Sequence, residues 1–217
     1  MADNSETAET LSARLKQGTK EQHDRASRVK IMGKIMSRNV SRAEYEQLLF
    51  TYYQMYTVLE KAIRDHCENE SIKNVYSSKL ERVDSIKLDL EYFVGKEWES
   101  DERLNTVSPA VEQFQAHIQD LAAKQPSLLL AHFYVRYLGD LAGGQIISTK
   151  IQRRFEMADL NGLNFYTFKD IPNVRGHVKQ IKEGIDKVVD PTLIEDIVNE
   201  VKVSFEMQYD ILVELTE

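Results

Sequence analysis

Apolar side chains recur along this chain at intervals of three and four for most of its length, the spacing that puts them on one face of an α-helix. Leu11, Leu15, Thr19, Gln22 and Ala26 predict a first helix capped by Thr10 or a neighbour and ending near Arg28. A short helix follows over Val29 to Ser37. Ser41-x-x-Glu44 is a capping box, and behind it Tyr45, Leu48, Leu49, Tyr52, Tyr56, Leu59 and Ile63 predict a long amphipathic helix reaching Cys67. Glu68 to Ser77 reads as a polar connector. Leu80, Val83, Ile86, Leu90 and Phe93 mark another helix, with Gly95 as its terminator and Trp98 as a core plug in the short segment after it. Ser108-Pro109 opens a helix through Ala123, Pro126 breaks it, and a long helix is predicted from Ser127 to Phe155. Met157 to Asp170 reads as a loop. Val178, Ile181, Ile185 and Val188 give a further helix, and Asp190-Pro191 starts the last one, whose inner face is Leu193, Ile197, Val201, Phe205, Tyr209 and Leu212. No stretch alternates convincingly with period two. The expectation is an all-α fold of about eight helices in a single domain, residues 1–217, with residues 1–9 a flexible leader.

One stretch breaks the pattern. Tyr134 to Gln145 carries Gly139, Gly143 and Gly144 inside an otherwise strong helical run, at a cost of about 1 kcal/mol each relative to alanine. Gly139 and Gly143 share a face that has no Cβ, and Arg136 and Asp140, also four apart, flank it. Taken alone, Gly-x-x-x-Gly is explained first by close helix packing; a flat ligand lying against bare backbone is the alternative. A membrane span is excluded by the two charges, each costing roughly 2.5–3.5 kcal/mol at a bilayer centre.

Composition narrows the class. A chain of 217 residues with 42% hydrophobic content, nine glycines and four prolines is an ordered globule. The single cysteine, Cys67, cannot close an internal disulfide, and neither a signal peptide nor a run of about 18 uncharged apolar residues is present. These features predict a soluble protein of the reducing cytoplasm without a stable membrane anchor. The net charge of −7 argues against nucleic acid. Against that acidic background, Arg14 to Arg42 holds nine basic residues and only two acids, Glu21 and Asp24, which points to an anionic ligand or an acidic partner.

Candidate chemistry is sparse. None of His23, His66, His117, His132 and His177 follows a glutamate by three, so the carboxylate-bridged di-iron bundle is excluded. Covalent heme attachment through Cys-x-x-Cys-His is absent, and no zinc-type spacing occurs. Cys67 beside His66 is not a productive nucleophile pair, because consecutive helical residues diverge by about 100°. His23 stands out: it shares a partly inward face with Leu15 and Thr19, and the ammonium groups of Lys16 and Lys20 nearby disfavour its protonated form, leaving a lone pair for a metal. An ordinary packed histidine fits the same position.

With this Lys-x-x-x-Lys-x-x-His column set beside the glycine stretch, the sequence resembles the heme oxygenases over nearly its whole length. The likeness runs through Leu15-Lys16, Thr19 to His23, Tyr52 to Glu60, Trp98, Ser108 to Ala110, Ala131 to Gln145, Phe165 to Phe168 and Phe205. The run Tyr134 to Gln145 is the most specific part. The resemblance implies heme b, as both substrate and cofactor, clamped between a proximal helix and a kinked distal helix. His23 is then the iron ligand, Lys16, Lys20, Tyr134 and Lys179 face the propionates, and Phe205 and Gln208 complete the pocket. Gly139 and Gly143 let backbone lie on the porphyrin, while Asp140, with Arg136 and Tyr56, orders distal water and delivers protons. The implied products are biliverdin, carbon monoxide and ferrous iron, made from dioxygen with electrons from an NADPH-dependent flavoprotein or a ferredoxin docking on the basic proximal face of a monomer.

The chain departs from the family pattern at three places. Lys179 is followed by Lys182 and Glu183, where many relatives pair a lysine with an arginine one turn later; Gln208 stands where an asparagine is common, and Ser27 where an acid is common near the proximal histidine. Three readings follow: a heme-degrading oxygenase, a heme binder or sensor that turns over poorly, and a helical scaffold. Asp140 favours the first over the second.

Overall fold

The structure is a computed structural model that describes residues 9–216. The leader expected at residues 1–9 lies, apart from Glu9, outside them. Every regular element among the described residues is helical, and no helix there is long and apolar enough to cross a membrane.

The first predicted helix is two. Helix α1 (Leu11–Gly18) and helix α2 (Lys20–Ser27) meet at Thr19, whose backbone leaves helical geometry at φ −124° and ψ 15°. The Thr19 hydroxyl donates to the carbonyl of Leu15 at 2.6 Å and its own carbonyl accepts from the His23 amide at 3.0 Å, so the chain bends without losing its hydrogen bonds. Thr10 takes extended backbone angles at the start of α1 but makes no side-chain cap. Helix α3 (Lys30–Met36) follows. Helix α4 (Arg42–Asp65) opens on the predicted capping box: Ser41 Oγ accepts from the Glu44 amide at 3.2 Å and Glu44 Oε2 accepts from the Ser41 amide at 2.8 Å. Thirteen of its residues are buried, which makes α4 the central post of the molecule, packed chiefly on helix α5 (Val83–Phe93) and helix α7 (Pro109–Lys124).

Helix α5 starts three residues later than its apolar spacing suggests, because Ser78–Leu80 form a 3₁₀ turn. Its first amides are held from outside by the buried Glu60 carboxylate of α4, which accepts from Arg82 N and from Val83 N at 3.3 Å. Gly95, at φ 118°, ends the helix as expected. Trp98 is buried edge-on against Tyr53, with 5.1 Å between ring centroids. After the short helix α6 (Glu102–Asn105), Ser108 caps α7 with Pro109 in its first turn.

The long helix expected from Ser127 to Phe155 is composite. A 3₁₀ turn at Pro126–Leu128 leads into helix α8 (Leu129–Phe133), then a π-helical turn over Tyr134–Leu138, then helix α9 (Gly139–Arg154). A π turn widens the spiral and is characteristic of functional helices. Here it precedes the first glycine directly. Helix α10 (Val174–Ile185) and helix α11 (Pro191–Glu214) finish the chain, with Asp190 Oδ1 capping α11 through the Thr192 and Leu193 amides at 2.8 and 3.0 Å. Helix α11 packs on α2, α7 and α8. Its Glu200 accepts from His117 of α7 at 2.6 Å and His132 of α8 at 2.8 Å. Burial works against the Glu200 charge, but the hydrogen bonds from the two imidazoles outweigh it and hold the carboxyl below its usual range.

Burial pushes the Glu60 carboxyl up to about 7, outweighing the two amides it receives. Its ordinary value is 4.5, so keeping Glu60 neutral stabilises the fold fully below that pH, and the contribution is lost as pH rises through about 7. Glu60→Gln is therefore expected to flatten the pH dependence of stability. The wild-type minus variant difference in unfolding free energy, measured by urea titration, should change by about 3 kcal/mol between pH 4.5 and 8; a pH-independent difference would contradict the assignment.

Candidate functional site

Helix α2 and the π turn face each other across a cavity of about 500 Å³, within the range typical of ligand pockets. One wall is α2, with His23, Ala26 and Ser27; the opposite wall is the π turn and the start of α9, with Tyr134, Arg136, Gly139, Asp140 and Gly143. Phe205, Gln208 and Leu212 of α11 close one end, and Met36 and Ile146 form an exposed rim.

The glycines explain the shape. A Cβ built on Gly139 or Gly143 would meet nothing within 4 Å, so close helix packing is not the reason for these two residues. Gly144 is different: its Cβ would come within 3.2 Å of Tyr166 Cδ1, and there packing is the reason. Two of the three glycines bare a wall, and the third seats the helix.

Behind that wall lies a buried polar network. The Tyr56 hydroxyl, from α4, donates to Asp140 Oδ2 and accepts from Arg136 Nε at 3.1 Å and Nη2 at 3.0 Å. The Arg136 guanidinium also stacks over the rings of Tyr52 and Tyr56, at 5.0 and 5.1 Å. Burial opposes the Arg136 charge, yet Tyr56 and Asp140 hold its pKa above the ordinary value. For Asp140 the balance goes the other way. Burial raises its pKa despite Arg136 and the Tyr56 hydrogen bond, and this carboxyl, 8% exposed, opens to the cavity.

On the facing wall the His23 side chain is 66% exposed. Its Nδ1 lies 3.4 Å from Asp24 Oδ1, which leaves Nε2 uncommitted, and Phe205 meets the ring edge-on at 6.1 Å. Gln208 Oε1 is buried without a hydrogen-bond partner among the described residues. An orphaned oxygen at one end and a missing pair of Cβ atoms along one wall are what a cavity shaped for a flat ligand leaves in its absence.

Most of the residues singled out from the sequence converge here: Lys16, His23, Tyr134, Arg136, Gly139, Asp140, Gly143, Phe205 and Gln208 line the cavity, with Tyr56 directly behind. Two do not. Lys20 follows the bend at Thr19, which breaks the phase it would have shared with Lys16, and it lines a neighbouring groove with Arg25, Arg28, Lys30 and Lys202. Lys179 sits on the outer face of α10, 80% exposed and 3.4 Å from Glu183; Val178 and Lys182, one turn apart, face the cavity instead. The Lys182 ammonium is therefore the cation α10 offers, and the loss of a paired arginine is a smaller departure than the sequence suggests. Ser27 reaches back to the Asp24 carbonyl at 3.0 Å, so the acid nearest His23 is Asp24, one residue along. Tyr52 was visible only as a core aromatic; its use as a platform for Arg136 depends on a helix contact that no local pattern encodes.

Fold and site together define an all-α protein with an imidazole facing a bare helical wall and a buried carboxyl open to the same cavity. Comparison with known proteins gives the family. The heme oxygenase family pattern matches residues 9–214. The chain is 32% identical over 206 residues to a heme oxygenase of Rhodella violacea, covering 94% of this chain and 86% of that protein, and 31% identical over equal length to one from Guillardia theta. Its fold is similar to that of heme oxygenase-1 from the cyanobacterium Synechocystis, solved in complex with heme, with a TM-score of 0.89 at 28% identity over 96% of this chain and 93% of the other. A heme oxygenase from Leptospira interrogans matches with the same score and identity over 95% of this chain and all of that one. The chain belongs to the heme oxygenase family.

The open Cβ positions generate a stability prediction. Gly139→Ala and Gly143→Ala should each raise the melting temperature of the ligand-free protein by about 2–4 °C, since helix propensity improves by about 1 kcal/mol and nothing clashes. Gly144→Ala should gain less or lose stability against Tyr166. Thermal denaturation checks this, and a larger gain at Gly144 than at Gly143 would contradict the assignment of the two roles.

Proposed function

We propose that this chain is a heme oxygenase that cleaves heme b to biliverdin, carbon monoxide and ferrous iron, using dioxygen and electrons from an external reductase. The observation that carries the reading is the pairing of His23 with the open faces of Gly139 and Gly143 across one cavity. Bound there, heme supplies both the iron at which dioxygen is reduced and the tetrapyrrole that is opened, so it is cofactor and substrate together.

The chain's own residues divide the remaining work. His23 would hold the iron through Nε2, which makes no hydrogen bond among the described residues. Gly139 and Gly143 admit the porphyrin face, and Phe205 holds the imidazole edge. Lys16, Lys182 and Tyr134, which line the cavity, would receive the propionates, the lysines as point charges. The Asp140 carboxyl would pass protons to water held in the cavity, and burial raises its pKa above the ordinary carboxylate value. Tyr56 and Arg136 fix the direction of that carboxyl from behind. Gln208 Oε1 is left to receive a hydrogen bond from ordered water.

Electron supply would use the second groove, where Lys20, Arg25, Arg28, Lys30 and Lys202 outnumber Glu21 and Asp24, although Arg25 is paired with Glu206. An acidic partner, an NADPH-dependent flavoprotein or a ferredoxin, docking there would approach His23 from behind. We place the reaction in the cytoplasm and the enzyme as a monomer.

The test is to add hemin to the purified protein, follow the Soret band, and then supply reductant under air. Wild type should bind and yield biliverdin. Asp140→Ala should keep the Soret band and lose biliverdin formation by about 100-fold or more, the usual scale of a lost general acid. No Soret band in the wild type would refute heme binding, and an undiminished biliverdin yield from Asp140→Ala would refute the proton role.

A further inference from the structure

Away from the heme cavity, three helices bring a second donor cluster together. His117 of α7, His132 of α8 and Glu200 of α11 each offer one ligand atom, and the three atoms lie within 4.8 Å of one another. Their sequence separation hides them, because none stands at a metal-ligand spacing from another. Both imidazoles turn Nε2 toward the same carboxylate oxygen, Glu200 Oε1, at 2.6 and 2.8 Å. The rings are 5.4 Å apart and inclined at 55°, so two imidazole nitrogens and a carboxylate converge on one point from different directions.

We propose that His117, His132 and Glu200 form a binding site for a divalent first-row transition ion of the zinc class, distinct from the heme cavity. Two histidines and one carboxylate are a donor set that zinc takes with open positions left for water. Metal–ligand bonds of about 2.0–2.2 Å put tetrahedral neighbours about 3.4 Å apart, so the two imidazoles need to withdraw from Oε1 by only about 0.7 Å to admit an ion. That is side-chain adjustment, with no helix displaced.

The hydrogen bonds now present do not lock the cluster against the exchange. His132 is fully buried, and its Nδ1 has no hydrogen-bond partner among the described residues. The tautomer of a histidine is set by the hydrogen bonds its nitrogens make; Glu200 Oε1 holds the His132 proton on Nε2, so an entering ion must move that proton to the unpartnered Nδ1, and its bond to Nε2 offsets the cost. His117 is only partly buried, with 27% of its side chain exposed, which gives an ion an entry path and water a coordination position. Glu200 is the anion that compensates the charge. The site would tie α11 to α7 and α8 within two turns of Phe205 and Gln208, so occupancy would stiffen the helix that closes the heme cavity.

The test uses the full-length chain, stripped with chelator and titrated with Zn²⁺ by calorimetry and with Co²⁺ by visible absorption. Wild type should bind one equivalent of Zn²⁺ with proton release, give the intense visible bands of four-coordinate Co²⁺, and melt at a higher temperature with Zn²⁺. His117→Gln keeps a donor for Glu200, so it should fold with unchanged melting temperature in chelator yet bind Zn²⁺ about 100-fold more weakly; Glu200→Gln should do the same. His23→Ala and Cys67→Ser should retain the equivalent. No bound equivalent in the wild type, or an equivalent kept in both His117→Gln and Glu200→Gln, would overturn the proposal and leave the cluster a hydrogen-bonded clasp.

Discussion

The structure turns on one hydroxyl. Tyr56 of the central helix α4 donates to Asp140 while accepting from Arg136, and in doing so it fastens the π turn and the start of α9 to the middle of the core. Without that joint, the distal helix would have to be held by packing on its inner face, the face that must stay bare. The polar network lies behind the glycines and does the work that leucines do in an ordinary helix pair. Its members are buried apart from the face that Arg136 and Asp140 turn to the cavity, so each depends on the others. Arg136 compensates Asp140, Asp140 orients Tyr56, and two tyrosine rings receive the guanidinium.

That arrangement makes sense of an apparent weakness. Three glycines in one helix sacrifice about 3 kcal/mol of propensity, and only Gly144 recovers any of it through close contact with Tyr166. At Gly139 and Gly143 the loss is uncompensated in the protein alone. In the proposed reading the stabilisation comes from a flat ligand lying along the bare spiral, with the exposed imidazole of His23 on the facing helix as the donor to its iron. The distal wall is thus locally unstable and globally pinned, which suits a site that must admit a large planar substrate and release an opened product.

Much of this was legible in the sequence because it is local. Capping residues at Ser41, Ser108 and Asp190 announce their helices, apolar spacing traces their inner faces, and an interrupted helix with charges four apart marks the site. What was not legible depends on phase. The bend at Thr19 separates Lys16 from Lys20, although a continuous helix would align them. Around the π turn, Val135, Arg136, Tyr137 and Leu138 are all buried, so hydrophobic spacing carries no information about which way each side chain points. On α10 a step of one residue, about 100°, decides between Lys179, facing solvent, and Val178, facing the cavity. The His117–His132–Glu200 cluster is assembled from three separate helices and has no local signature at all.

The measurement that tests the account most directly is a crystal structure of the protein loaded with hemin. The account predicts iron on His23 Nε2, the opposite porphyrin face in van der Waals contact with the backbone of Gly139 and Gly143, and the Asp140 carboxyl separated from the iron by ordered water. Iron held by a different side chain, or a porphyrin seated in the groove beside Lys20, would contradict it.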